Sequence, residues 1–236
     1  MSDNGKTKFR PNHRNTFGLN FGLPENGGTC PGATSGSGGC LGVREGGKRM
    51  TCYMAKVVQI YKGVGPKLQL NTDLLAGRTQ AQMEDVIQRS VQAFVDKNDR
   101  SAWFMRLHYS GDFFSADYAR AWAAAITKFP DVRFWVYTRS HDMVQFLVGC
   151  SNLTVFLSVD PVNKDEALRV YEQYREQPNL GMAWMGPDAP SDHRWVKCPE
   201  ITGVLKNTPD SGACARCRLC VDRYKSKVRN IQFQLH

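Results

Sequence analysis

Four cysteines near the C-terminus carry the plainest chemistry in this sequence. Cys214, Cys217 and Cys220 follow one another with two residues in each gap, and Cys198, followed by Pro199, lies upstream. Three thiolates at that spacing reach one metal or one edge of a cluster. Cys198 is the natural fourth ligand, so the set suits a [4Fe–4S] cluster or, as the alternative metal, a structural zinc. Zinc sites more often pair two separated Cys-x-x-Cys units, whereas a single run of three is closer to ferredoxin ligation. Arg216 and Arg218 within the run favour the thiolate state. Cys30, Cys40 and Cys52 form a second group with gaps of nine and eleven residues. Three protein ligands on a cluster leave one iron open to a further ligand; one structural site shared with the C-terminal cysteines, or partly unliganded thiols, is the alternative. Cys150, after Gly149, belongs to neither group and reads as a core or surface thiol.

Other side chains add candidate chemistry. Arg106 and His108 are expected on one face of a strand over 103–109, with Tyr109 and Asp112 near. Such a group binds an anion or moves a proton, which makes His108 and Asp112 candidate catalytic residues; a hydrogen-bonded core pair is the alternative. Arg139 at a strand end suits a carboxylate or phosphate. Ser158 and Asp160 end another strand, and Asp160 is placed either to hold a ribose hydroxyl or to start a helix-initiating turn. His193, Arg194 and Trp195 precede Cys198 and are expected to line the second cluster. Trp103, Trp122, Trp135 and Trp184 lie in apolar segments and read as packing. There is no phosphate loop of the Walker type, no GxGxxG before a helix, no HExxH and no GxSxG.

The elements that must hold these residues alternate. TFGLNFGLP (16–24) reads as a first strand and is followed by a Gly- and Cys-rich loop over 25–52. CYMAKVVQIYK (52–62) reads as a helix starting at Cys52. Thr79 and Gln82 form a capping box for a helix with Met83, Val86, Ile87, Val91, Phe94 and Val95 at helical spacing. Strands are expected over 103–109, 132–137, 153–159 and 180–185. Between them lie a helix capped by Ser115, a short helix at HDMVQFLV, and a helix capped by Asn163 and Glu166. Strand–helix alternation predicts a parallel sheet with helices outside it. Polar residues gather after successive strands: Ser110-Gly111-Asp112, Thr138-Arg139-Ser140, Asp160-Pro161 and Gly186-Pro187-Asp188. That is the edge where barrel active sites sit. The expected fold is therefore α/β: a partial (β/α) barrel of parallel strands over 16–190, a flexible basic arm over 1–15, and a C-terminal cysteine-rich cluster-binding extension over 191–236.

The net charge of +9 favours anionic partners such as DNA, RNA or nucleotides, against the alternative of an ordinary cationic surface. Lys6, Lys8, Arg10, His13 and Arg14 gather at one end, and Arg223, Lys225, Lys227 and Arg229 at the other. No apolar run approaches the roughly 20 residues that span a bilayer, and the N-terminus lacks the apolar core of a signal peptide. A cytoplasmic location is expected. Disulfides are rare there, so the cysteines need another explanation.

The segments TCPGAT (29–34), CYMAK (52–56), RLHYSGDFFSADYARAW (106–122), VRFWVYTRS (132–140) and the terminal cysteine run are together similar to the bacteriophage gene product 88 family. The resemblance covers roughly residues 15–225, with SGDFFS and FWVYTRS its most specific parts, and it implies a fold more than an activity. More distantly, the same segments resemble the radical S-adenosylmethionine enzymes. Those enzymes place three cysteines after the first strand of a partial barrel, with an aromatic residue near the last, and a short Gly-and-acid motif after the second strand. The resemblance implies a cluster on Cys30, Cys40 and Cys52 with Tyr53 beside it, and S-adenosylmethionine held by Ser110, Gly111 and Asp112. The long cysteine gaps depart from the usual CxxxCxxC of those enzymes, and the loop glycines would have to fold the three sulfurs together. The C-terminal set would then resemble the auxiliary clusters of some members.

The function expected is that of an iron–sulfur enzyme with one or two clusters. It would generate a 5′-deoxyadenosyl radical with the help of an electron donor, and its substrate would be derived from nucleic acid. The alternative is a nucleic-acid-binding protein whose clusters or zinc are structural and whose basic tail contacts phosphates. A metal-dependent hydrolase would need a His/Asp constellation that the sequence lacks.

Overall fold

A computed structural model describes residues 1–2, 5–34, 39–42, 52–186, 188–222 and 230–233. Gly36, Gly38, Gly46 and Gly47 of the expected loop, Pro187, and the basic tail residues Arg223, Lys225, Lys227 and Arg229 lie outside the described residues.

The chain is α/β, built on six parallel strands: β1 (Phe104–Leu107), β2 (Arg133–Thr138), β3 (Leu153–Val159), β4 (Leu180–Met185), β5 (Val196–Lys197) and β6 (Asn230–Phe233). Their order across the sheet is β1-β2-β3-β4-β6-β5. The helices are α1 (Tyr53–Ile60), α2 (Val64–Asp73), α3 (Gln80–Val95), α4 (Ala116–Lys128), α5 (Lys164–Gln173) and α6 (Ala213–Cys217), with a 3-10 helix over His141–Phe146 after β2. Helix α2 was not expected from the sequence; its apolar pattern is weak, and only Leu68 and Thr72 are buried.

Local chemistry explains the longer helices. At α3 the Thr79 hydroxyl accepts from the Gln82 amide and the Gln82 side chain accepts from the Thr79 amide, which satisfies two donors of the first turn. Met83, Ile87, Val91 and Phe94 then fall on one buried face, each worth about 1.5–3 kcal/mol of apolar burial. At α4 the Ser115 hydroxyl accepts from the Tyr118 amide, and Tyr118, Trp122, Ala125 and Ile126 face inward. The cap expected at α5 is not made. Asn163 instead accepts from the Asp160 amide and donates to the Ser158 carbonyl, while Asp160 accepts from the amides of Val162 and Asn163.

The two faces of the sheet differ. Met105, Leu107, Phe134, Val136, Val155, Leu157 and Met182 join residues of α3, α4, the 3-10 helix and α5 in the main core. Phe104, Trp135, Phe156, Ala183 and Ile231 point the other way and pack with Ala215, Val221, Cys198 and Cys220. The cysteine-bearing C-terminal segment therefore covers the face that the helices leave open. It is also less separate than expected, because β5 and β6 complete the sheet and β6 lies between β4 and β5.

The expected first strand is realised as an edge along β1. The Arg106 amide bonds the Asn15 carbonyl, and the amides of Phe17 and Leu19 bond the carbonyls of Arg106 and Ser110. A single parallel bridge, Thr16 to Arg106, is regular. The N-terminal arm is the clearest correction. It was expected to be mobile, yet Thr7, His13 and Asn15 are buried. Asn15 donates to the Phe104 carbonyl, Phe9 packs edge-on to Phe104, and the carbonyls of Lys6 and Lys8 accept from the amides of Cys214 and Gly212. Polar composition suggests solvent; here Asn15 finds a partner at the start of β1, and the carbonyls of Lys6 and Lys8 find theirs at the start of α6.

Candidate functional site

A cavity of about 450 Å³ opens on the inner face of the sheet and along the C-terminal ends of its strands. Seven of the eight cysteines line it. Cys150 does not; it is buried in the core on the helix side, its thiol toward the Ala123 carbonyl.

The loop carrying Cys30 and Cys40 is pinned to the strand ends. The Cys30 amide bonds the Gly22 carbonyl, and the Thr29 carbonyl accepts from the Asp112 amide. Gly32 lies against the Arg139 carbonyl, so close that a Cβ there would stand 2.0 Å from the oxygen. The Thr34 hydroxyl accepts from the Cys40 amide and from Arg139, and donates to Asp160. Cys52 sits at the N-cap of α1, where its extended backbone turns the chain into the helix. Opposite this trio, Cys198 follows β5 and its amide bonds the Gln232 carbonyl of β6. Cys214 and Cys217 are carried on α6, which ends at Arg218 in a left-handed conformation, φ 55°. The Cys220 sulfur accepts from the Tyr137 hydroxyl at 2.9 Å.

Electrostatics divide the thiols as the sequence spacing did. Burial pushes Cys30 up to about 12, and Cys40 and Cys52 are among the neighbours that raise it further. Burial likewise raises Cys214 to about 11 and lifts Cys52, Cys217 and Cys220; Cys214, Cys198 and Cys217 push Cys220 higher still. Without a cation these thiols hold their protons at neutral pH, so ligation would release protons. Among the described residues, no three His, Cys, Asp or Glu side chains converge on a single metal ion.

The strand-end residues form one network. Asp112 accepts from the Thr138 hydroxyl at 2.7 Å and from the amides of Phe113, Arg139 and Ser140. Burial raises its carboxyl, and these bonds pull the other way. Gly111 holds φ +72°, and a Cβ there would stand 2.5 Å from the Thr29 hydroxyl. The Arg139 guanidinium pairs with buried Asp160 at 2.5 Å and leaves one nitrogen, Nη2, without a partner. Asp160 thus makes both the helix-initiating turn and a charge pair. Ser110, Gly111, Asp112, Arg139, Ser158 and Tyr53 all border the cavity. The Tyr53 hydroxyl donates to the Tyr109 carbonyl.

Two expectations are corrected. Arg106 and His108 do not share a face. His108 adopts φ 52°, which ends the strand alternation and turns its ring into the aromatic cluster of Phe113, Tyr118 and Trp122, where it shares a hydrogen bond with the Tyr118 hydroxyl. Burial, with the charge of Arg106, holds its pKa down at about 3. His193 and Trp195 do not line the cavity; they pack with Tyr171 and Trp184. Two contributors were missed. Tyr137 alternates with Phe134 and Val136 on β2, a signal that the uniformly apolar look of the strand conceals. Thr34 ends the TCPGAT segment that carries the family resemblance, but its residue type and spacing gave no sign of a role in the network.

The family model described as gene product 88 matches residues 2–223. The chain belongs to the gene product 88 family. A Gene 88 protein of Mycobacterium phage L5 is 32% identical over 212 residues, covering 86% of this chain and 82% of its own length. A second Gene 88 protein, of Mycobacterium phage D29, is 32% identical over 218 residues, covering 87% and 84%. No solved structure matches the chain. The span matched by the gene product 88 model takes in all seven cavity cysteines and the Asp112–Arg139–Asp160 network. Among the described residues no helix is long and apolar enough to cross a membrane.

Proposed function

We propose that the protein is an iron–sulfur enzyme of the radical S-adenosylmethionine type. The observation that carries this is the gathering of seven cysteines, as a trio and a quartet, around one cavity at the C-terminal ends of parallel strands. The sheet order β1-β2-β3-β4, with its helices on one face, suits an open arc of a (β/α) barrel. Thiolates of a cubane bind different irons at its corners and need not meet on one ion, so the spread of the sulfurs suits clusters better than zinc. Cys198, Cys214, Cys217 and Cys220 would hold one cluster fully. Cys30, Cys40 and Cys52 would hold another with one iron free of protein ligands. Such a cluster, reduced by a separate electron donor, would supply the electron and the coordination position for cleavage of S-adenosylmethionine into methionine and a 5′-deoxyadenosyl radical.

The chain's own residues have distinct tasks in this reading. Asp112 locks the ends of β1 and β2 together and fixes Gly111, whose lack of a side chain lets backbone approach the cofactor. Arg139, held by Asp160, keeps one nitrogen for a carboxylate. The cavity walls exclude water from the reacting atoms. Purification without oxygen, followed by iron, sulfide and zinc analysis, tests the reading. About eight irons per chain are expected for two cubanes; zinc without iron refutes it. Reduced protein mixed with S-adenosylmethionine should yield 5′-deoxyadenosine. Iron with no product, and no spectral change on adding the cofactor, would refute the catalytic part.

A further inference from the structure

Arg106 stands on β1 with its side chain on the cavity face, beside Tyr53 and Tyr137. Its guanidinium lies over the Tyr137 ring, 5.2 Å from the centroid. Its Nε is enclosed and has no hydrogen-bond partner, and among the described residues no carboxylate pairs with it. The contrast with Arg139 is direct, because Arg139 meets the buried carboxylate of Asp160. A guanidinium taken out of bulk water without a counter-charge is costly, and it is kept where a ligand brings the missing anion. Cys214 and Cys220 of the quartet also face the guanidinium, and as neutral thiols they bring it no negative charge. The Tyr137 hydroxyl donates to Cys220, the ring of the same tyrosine lies against the guanidinium, and the Tyr53 hydroxyl is hydrogen-bonded to it. What remains without a partner is the enclosed Nε edge.

We propose that Arg106 anchors a small anionic ligand, a carboxylate or a phosphate ester, whose body lies against Trp135 and Tyr137 in the cavity between the two thiol sets. Both anions present paired oxygens that the fork binds two at a time. Tyr137 already stacks on Phe156 and lies under Arg106, so the body of the ligand meets its edge and the apolar wall at Trp135. The field of Arg106 reaches buried His108 and helps keep that imidazole neutral, as a guanidinium without a nearby carboxylate would. The ligand so defined is the substrate class of the cavity. The inference rests on the cavity being the functional site; metal-bound thiolates at Cys214 and Cys220 would share the charge of Arg106 but would not fill its Nε edge.

The full chain is titrated calorimetrically with phenyl phosphate and, separately, with benzoate, which share a ring and differ in the anion. Binding of at least one is expected, and the stronger arm distinguishes phosphate from carboxylate. Arg106→Met should weaken that binding at least tenfold, and Arg106→Lys, which keeps the charge without the fork, should restore only part of it. Binding of neither anion by the native chain, or equal binding by Arg106→Met, overturns the proposal. Should Arg106→Met fail to fold, the native chain is treated with phenylglyoxal and Arg106 is followed by mass spectrometry. The bound anion should slow modification at least severalfold; an unchanged rate overturns the proposal. Failure of the cluster reading is seen separately: an iron-free chain that still binds the anion through Arg106 refutes the clusters and keeps the anchor.

Discussion

Acidification should weaken the fold through His108. Its side chain is fully buried, and its pKa falls from 6.5 in the unfolded chain to about 3 in the fold. Burial is the main cause and the positive charge of Arg106 adds to it. The neutral imidazole is therefore the native form. Below pH 6.5 the unfolded chain takes up a proton that the folded chain refuses, so the contribution is complete above 6.5 and is lost progressively as pH falls toward 3. Each pH unit in that window costs about 1.4 kcal/mol. At pH 4.5, two units down, the loss is about 3 kcal/mol, a large part of the stability of an ordinary domain. Asp112 lies 3.9 Å from the ring nitrogen Nδ1. That is too far for a hydrogen bond, and its oxygens already accept from Thr138, Phe113, Arg139 and Ser140. It offers little to an imidazolium. The assay is urea unfolding of the native chain and of His108→Gln at pH 7 and at pH 4.5. Glutamine stays neutral and can still meet the Tyr118 hydroxyl. The native-minus-variant difference should shrink by about 2–3 kcal/mol between the two pH values, and other acid effects cancel in that double difference. Equal pH dependence in both proteins would refute the reasoning and return His108 to the list of groups able to move a proton near neutrality.

Asp112→Ala should destabilise the chain by about 3 kcal/mol or more, because the Thr138 hydroxyl and the amides of Phe113 and Arg139 lose their acceptor in a buried place; an unchanged urea midpoint would contradict the network. Gly32→Ala should cost about 1–3 kcal/mol by forcing the cysteine loop away from the Arg139 carbonyl, and thermal unfolding would register it. Cys220→Ser should halve the iron of the anaerobically purified chain, from about eight to about four per chain. Cys150→Ser should leave iron unchanged and cost about 1–3 kcal/mol for a hydroxyl in an apolar core; iron analysis of both variants separates the ligand cysteines from the packed one.

Short-range signals were legible in the sequence. The strands over 153–159 and 180–185, the capping box at Thr79 and the buried face of α4 follow from side-chain periodicity and first-turn hydrogen bonds, which act within a few residues. That Cys150 stands apart was also legible, and the cavity lining makes the same division between it and the other seven cysteines. Tertiary structure decided the rest. Polar residues after separate strands became one network only when parallel pairing brought the ends of β1, β2 and β3 side by side; Thr34, from the Gly- and Cys-rich loop, joined them by reaching Arg139 and Asp160. A left-handed backbone at His108 cancelled the alternation that placed it beside Arg106. The polar arm was fastened by amide donors just over 200 residues away, those of Gly212 and Cys214 at the start of α6, and β6 entered the sheet between β4 and β5. Each of these depends on hydrogen bonds between segments distant in the chain, which no local pattern encodes, and together they turned a list of thiols and arginines into a single cavity.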